Sequence, residues 1–353
     1  MKIKLAILEK DQCYLQRIVT VFSTKYSDNF EIYSFTDENI AISTIKTGRI
    51  DVLVASDAFE IDVASLPVFC AFAYLVDSSG IETIRDQYAI CKFQKAELIY
   101  RQILSIYSEK AGSISGISIG NENTNIGIFT SVGGGAGAST MAASAACYFA
   151  QKGMKTLYLN LEKFGAADLF FSGVGQYDMS DIIFALKSKK SNLALKLESC
   201  VKQAGNGVFF YSQPKIALDM LELTSEEILR LVSELKVSGT YDYIIIDMDF
   251  SLDKETMSVY RKANSCVLVS DGSDISNTKL FRAINALSVL EKNAEYSLMN
   301  RISVAYNKFS NKSSKVLADI DVNSIGGVPR YEHASTEQIM QQISNMDLFS
   351  KLF

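Results

Sequence analysis

Between Ile126-Gly-Ile-Phe-Thr130 and a run of small residues from Ser139 to Ala150 lies Val132-Gly-Gly-Gly-Ala-Gly-Ala-Ser-Thr140. Such density of glycine lets backbone N–H groups close around an anion without Cβ clashes. The helix expected to follow, ending near Lys152 and Gly153, adds unpaired N–H groups and a partial positive charge at its start. Strand, glycine loop and helix in that order form a phosphate cradle, which a chance glycine turn rarely satisfies. Gly133, Gly134, Gly135, Ala136, Gly137, Ala138, Ser139 and Thr140 are therefore the candidate nucleotide-binding residues. The Ser139 and Thr140 hydroxyls stand where Mg²⁺ and phosphate are met.

A parallel α/β fold is the setting such a loop needs, and the rest of the chain supplies one. Thr156–Leu161, Val208–Tyr211, Tyr243–Asp247, Cys266–Val269 and Ile302–Tyr306 read as strands, the last three by the near-continuous apolar character of buried parallel strands. Thr224-Ser-Glu-Glu227 is a capping box, predicting a helix to about Lys236. Thr336–Phe353 reads as a closing helix whose apolar Ile339, Ile343, Leu348 and Leu352 pack either on the core or in a dimer. Upstream, strands are expected at Lys4–Leu8, Phe30–Tyr33, Asp51–Ala55, Val68–Val76 and Tyr88–Lys92, with helices at Gln12–Tyr26 and Ala96–Ile106. The fold class is α/β, with two doubly wound parallel-sheet domains. They occupy residues 1–110 and 125–353, joined by a Gly/Ser/Asn-rich linker at 111–124.

Composition removes several function classes. With 353 residues, 48% of them hydrophobic, the chain buries real cores and is not disordered. The apolar run Leu66–Val76 is far short of the roughly 18 residues of a membrane span. No signal peptide is visible. Six cysteines without a CxxC pair predict a reduced, cytoplasmic protein without zinc. A single histidine, His333, leaves no Ser-His-Asp or poly-His metal chemistry. The net charge of −5 opposes binding to a nucleic-acid backbone, which needs a concentrated positive surface. The patch Lys187, Lys189 and Lys190 reads as a solvated helix end.

The loop resembles the deviant Walker A loop of the MinD/ParA family of P-loop ATPases, whose pattern is Lys-Gly-Gly-x-Gly-Lys-[Thr/Ser]-Thr. Gly134, Gly135, Gly137, Ser139 and Thr140 match that pattern. Gly133 stands in place of the family's signature lysine, and Ala138 in place of the ordinary P-loop lysine. The resemblance implies bound ATP with Mg²⁺ held by Ser139 and, through water, by Asp247 at the end of the Walker B-like strand Tyr241–Asp247. It aligns Asn160 and Glu162 with the family's Asp-x-Asp, making Glu162 the candidate catalytic carboxylate. It places Asn307 at the adenine edge and Pro329, Arg330 and Tyr331 in the loop that lines the base, with Lys308, next to Asn307, among the nucleotide-binding residues. A charge-assisted hydrogen bond contributes roughly 1.5–3 kcal/mol. Losing two lysines therefore weakens binding by ~10²–10⁴-fold. Hydrolysis suffers further, because nothing obvious neutralises charge developing on the transferring phosphate. Lys163, just after the next strand, could approach from another direction.

Residues 1–110 resemble a response-regulator receiver domain of five strands and five helices, flavodoxin-like in fold, with its phosphorylation chemistry degraded. Glu9-Lys10-Asp11 breaks the usual acid pair, Ser56 replaces the phosphoryl-accepting aspartate, Asp57 follows it, and Lys92 is retained. Lys10 is expected to enter the Mg²⁺ space and neutralise Glu9 or Asp57. Phosphorylation at Asp57 needs a one-residue shift, and a docking module is the better reading.

Such a receiver fused to a MinD/ParA-like ATPase resembles the TadZ/CpaE family of pilus assembly proteins. That resemblance implies a cytoplasmic protein placed at a cell pole, a homodimer with nucleotide near its interface, and partners in the Tad (type IVb) pilus secretion machinery. No nucleic acid is expected, and no stable membrane anchor. The alternative is an active ParA/MinD-type positioning ATPase acting on DNA or cell division.

Overall fold

In the computed structural model the described residues are 2–110, 124–188, 192–292, 297–318 and 320–353. Residues 111–123 of the expected linker (111–124) and two lysines of the basic patch, Lys189 and Lys190, lie outside them. Two compact units are present. One is formed by the described residues of 1–117 and 184–200, the other by those of 118–183 and 201–353.

The first unit opens with β1 (Ile3–Leu8) and α1 (Gln12–Lys25). Asp11 starts that helix by accepting the N–H groups of Cys13 and Tyr14, and the helix buries Leu15, Ile18 and Phe22. There follow β2 (Phe30–Phe35), α2 (Glu38–Gly48), β3 (Val52–Ser56), β4 (Ala71–Val76), β5 (Thr83–Ile84), β6 (Gln87–Cys91) and α3 (Ala96–Lys110). The strand order is β2-β1-β3-β4-β6-β5, parallel except for the β5–β6 pair. The first five match the flavodoxin-like order expected.

Three details differ from the sequence reading. The fourth strand begins at Ala71, not Val68, because the Pro67 carbonyl accepts the Cys70 N–H and closes a turn. Two of the five expected helices are replaced among the described residues. A short 3₁₀ turn at Val63–Ser65 bridges β3 and β4, and a hairpin bridges β4 and β6. Arg85 and Asp86 both take left-handed φ, 51° and 59°, the geometry of a two-residue type I′ hairpin.

The second unit contains β7 (Asn125–Thr130), α4 (Ala138–Gln151), β8 (Thr156–Asn160), α5 (Ala167–Phe170) and the start of α6 (Met179–Ser188), whose residues from Phe184 group with the first unit. After α7 (Leu193–Cys200), which groups with the first unit, come β9 (Lys202–Gln203), β10 (Phe209–Phe210), α8 (Leu218–Leu221) and α9 (Ser225–Ser238). The chain continues through β11 (Tyr243–Asp247), α10 (Lys254–Tyr260), β12 (Ser265–Ser270), α11 (Asp274–Lys292), β13 (Ile302–Phe309), β14 (Asn323–Pro329) and α12 (Thr336–Ser344). The sheet order is β14-β13-β12-β7-β11-β8-β10-β9, parallel except for the β9–β10 pair. The expected capping box starts α9, and Gly239 at φ 55° ends it.

Helix α4 is buried from Met141 to Phe149. Its alanines let it lie close on the sheet, at the centre of the core with Phe129, Tyr158 and Ile245. The closing helix stops at Ser344 rather than running to Phe353. The chain turns at Asn345, so Leu348, Phe349 and Leu352 reach that core from a 3₁₀ turn. Of the two expected roles, core or dimer packing, these residues fill the first.

Candidate nucleotide-binding site

The site lies where the sheet order reverses around β7, at the carboxyl ends of the strands, the usual ligand crevice of an open α/β sheet. Asp247 sits in register with Phe129 on β7 and Asn160 on β8. The ends of β11 and, beyond it, β8 therefore lie to one side of the loop between β7 and α4, with β12 on the other. Gly135 and Gly137 take φ of +83° and +87°, which glycine alone adopts without strain. A Cβ on Gly134 or Gly135 would find nothing within 4 Å, so the loop faces open space. A Cβ on Gly133 would lie 3.9 Å from Lys279 Cδ and Ser276 Oγ of α11.

Ser139 and Thr140 fall in the first turn of α4, and Ser139 Oγ donates to Glu162 Oε2 at 3.2 Å. Asp247 is fully buried. Its Oδ2 accepts from the Tyr158 hydroxyl at 2.7 Å and from Asn160 Nδ2 at 2.9 Å. Asn160 Nδ2 also lies 3.1 Å from Glu162 Oε2. Burial pushes the Asp247 carboxyl up to about 8, and the Glu162 charge adds to the rise; the hydrogen bond from Tyr158 opposes it. Burial, with the Asp247 charge, likewise holds the Tyr158 hydroxyl protonated.

Asp247 Oδ1 is buried without a hydrogen-bond partner. An orphaned carboxylate oxygen beside the Ser139 hydroxyl and Glu162 is a hard-oxygen set that fits Mg²⁺. No group of three or more His, Cys, Asp or Glu able to hold a metal occurs among the described residues. A Mg²⁺ here would thus be completed by phosphate and water, as that ion prefers.

On the other side of the loop stands β13. Asn307 is buried and gives its Nδ2 to the Ala136 carbonyl at 2.9 Å; Lys308 Nζ donates to the Gly135 carbonyl at 2.8 Å. Pro329 pairs with Phe309 and the Arg330 N–H donates to the Phe309 carbonyl at 3.2 Å. Pro329 and Arg330 are thereby brought beside the strand end that carries Asn307 and Lys308, while Tyr331 packs half-buried on the core. Lys163 uses its backbone N–H on Asp249 Oδ2, and its side chain is exposed.

The sequence reading missed Tyr158. Residues 158, 160 and 162 recur with the period of two that puts side chains on one strand face. A tyrosine two positions before Asn160 was the signal.

In the receiver unit Lys92, not Lys10, neutralises the acids. Its ammonium lies 2.8 Å from Glu9 Oε2 and 3.2 Å from Asp77 Oδ1, and donates to Ser56 Oγ at 3.3 Å. Burial would lower the Lys92 pKa, but the bonds it donates to Glu9 and Asp77 outweigh this and raise it. Lys10 instead donates to the Ala58 carbonyl at 3.1 Å, over the Phe59 ring. The physical reason is reach: Lys10 follows β1 and is exposed, whereas Lys92 extends inward from the end of β6, across the ends of β4 and β3. Asp11 is spent on capping α1, and Asp57 is half-buried beside Ser56.

Residues 1–108 match the family described as TadZ-like, receiver domain. A search of curated proteins finds no match. Among solved structures the chain is similar to a ParA family ATPase from Chlorobium tepidum TLS. The two are 22% identical, with a TM-score of 0.52, over 66% of this chain and 97% of that one. It is also similar to the MinC:MinD cell division protein complex of Aquifex aeolicus, at 19% identity and a TM-score of 0.51, over 65% of this chain and 95% of that one. Among the described residues no helix is long and apolar enough to cross a membrane. The N-terminal domain is a TadZ-like receiver domain and the domain after it has the fold of ParA- and MinD-type ATPases, a pairing that fits the TadZ/CpaE family.

Proposed function

We propose that the chain is an ATP-binding, dimeric localisation factor for Tad pilus biogenesis, with ATP hydrolysis weak or lost. One observation carries the nucleotide part of this reading. A glycine loop facing open space leads into α4, beside an orphaned Asp247 oxygen, Ser139 and Glu162, while the loop itself bears no lysine. Backbone amides and a helix start suffice to hold a polyphosphate. Charge stabilisation in the transition state lacks its usual cation. The TadZ-like receiver supports the Tad association. Its acids are neutralised internally by Lys92, which favours docking over phosphorylation. The two-domain division at residues 1–110 and 125–353 belongs to the same proposal, as do the polar position and the dimer.

Calorimetry of the full chain with Mg-ATP, alongside a phosphate-release assay, tests it. Binding with turnover far below that of the double variant Gly133→Lys/Ala138→Lys is expected. No heat at millimolar nucleotide would remove the ATP switch.

A further inference from the structure

Although the loop has no lysine of its own, one grips it from outside. Lys308 Nζ is bonded to the Gly135 carbonyl and Asn307 Nδ2 to the Ala136 carbonyl, two consecutive peptides of the cradle. Lys308 takes a φ of 55°, a region that residues with a Cβ avoid. It falls inside the register shift of β13 against β14, between Tyr306 and Phe309. The strand is thus bent at the residue whose side chain reaches the loop, and such local strain persists where the surroundings hold it for a purpose. A Cβ on Gly137 would lie 2.3 Å from Asn307 Nδ2 and 3.7 Å from Lys308 Cε, so only glycine admits this approach.

In a planar trans peptide the C=O and N–H point in opposite directions. Holding the carbonyls of Gly135 and Ala136 on the β13 side therefore turns the N–H groups of Ala136 and Gly137 to the other side. A charged donor on the carbonyl also polarises the peptide and makes its N–H a better donor.

We propose that Lys308, seconded by Asn307, is a positioning residue that clamps the loop from behind and presents its amides to the polyphosphate of a nucleotide, in place of a lysine within the loop. This rests on reading the loop as a nucleotide site. It also gives Lys308, a nucleotide-binding candidate without a stated role, its place behind the phosphates.

The test uses the full chain with Lys308→Met and Lys308→Arg. Lys308 is exposed, so neither change threatens the fold. In ligand-free protein, millisecond hydrogen exchange of peptides spanning residues 133–137 should quicken in Lys308→Met and return to the wild-type rate in Lys308→Arg. By calorimetry, Lys308→Met should weaken Mg-ATP about tenfold or more, the loss of one charge-assisted bond, and leave AMP unchanged. Adding Ala138→Lys to Lys308→Met should recover the ATP affinity. Unaltered loop exchange in Lys308→Met, or an equal loss of ATP and AMP, overturns the clamp. If the wild type binds no nucleotide, the proposed function falls, while the exchange experiment still decides the clamp.

Discussion

Three buried or half-buried titratable groups set the behaviour of single residues. Asp247 is more protonated folded than unfolded, since burial lifts its pKa from 3.8 to about 8. The stability it contributes is complete below its unfolded pKa and is lost as pH rises through the folded one. Between about pH 5 and about pH 9, thermal melting of metal-free wild type should therefore decline more steeply than that of Asp247→Asn. Parallel curves would show that another group titrates. Lys92 and Glu9 form an ion pair with side chains only 10% and 3% exposed. Removing one partner strands the other, at about 3–5 kcal/mol. Urea unfolding should show this loss for Lys92→Met and a partial recovery for Lys92→Met/Glu9→Gln. A single variant losing under about 1 kcal/mol would mean the pair behaves as an exposed one.

At the scale of elements, the glycines of the loop are not equivalent. Gly137 holds a left-handed φ with Asn307 against it. Gly137→Ala should cost about 1–2 kcal/mol for the backbone alone and displace the Asn307 amide. Gly134 faces open space. Gly134→Ala should keep the wild-type melting temperature while lowering Mg-ATP affinity, because its methyl enters the cradle rather than the core. A Gly134→Ala chain that melts early would place that methyl in packed protein. The capping box of α9 was legible in Thr224 and Glu227 because both partners lie within one turn of sequence. The β5–β6 hairpin was not. Its turn is Arg85-Asp86, without the Asn-Gly or Asp-Gly pair that usually marks a left-handed two-residue turn. Arg85 is fixed there by contacts with the Phe59 carbonyl and the Tyr74 hydroxyl, at 3.1 and 3.5 Å, which come from distant sequence.

Across the whole molecule, two sheets of similar winding carry unlike sites. One carries an internal ion pair between Lys92 and Glu9, and the other a glycine loop without lysine, proposed above as a phosphate cradle. The C-terminal tail closes the second core, with Phe349 fully buried against Phe129 and Tyr148. Phe349→Ala should destabilise that unit by about 3–5 kcal/mol, read as an earlier transition in denaturant. A change within about 0.5 kcal/mol would show the tail is dispensable.

By itself the sequence determined the two α/β patterns, the strand–loop–helix cradle, the carboxylates at the strand ends and the absence of both loop lysines. These are local facts, written in period, spacing and residue type. Tertiary structure alone decided which lysine meets Glu9, which hydroxyl meets Asp247, and that Lys308 grips the loop more than 170 residues upstream. Those pairings depend on strand order and on bends such as the one in β13, and contacts between distant strand ends leave no periodic trace in the chain.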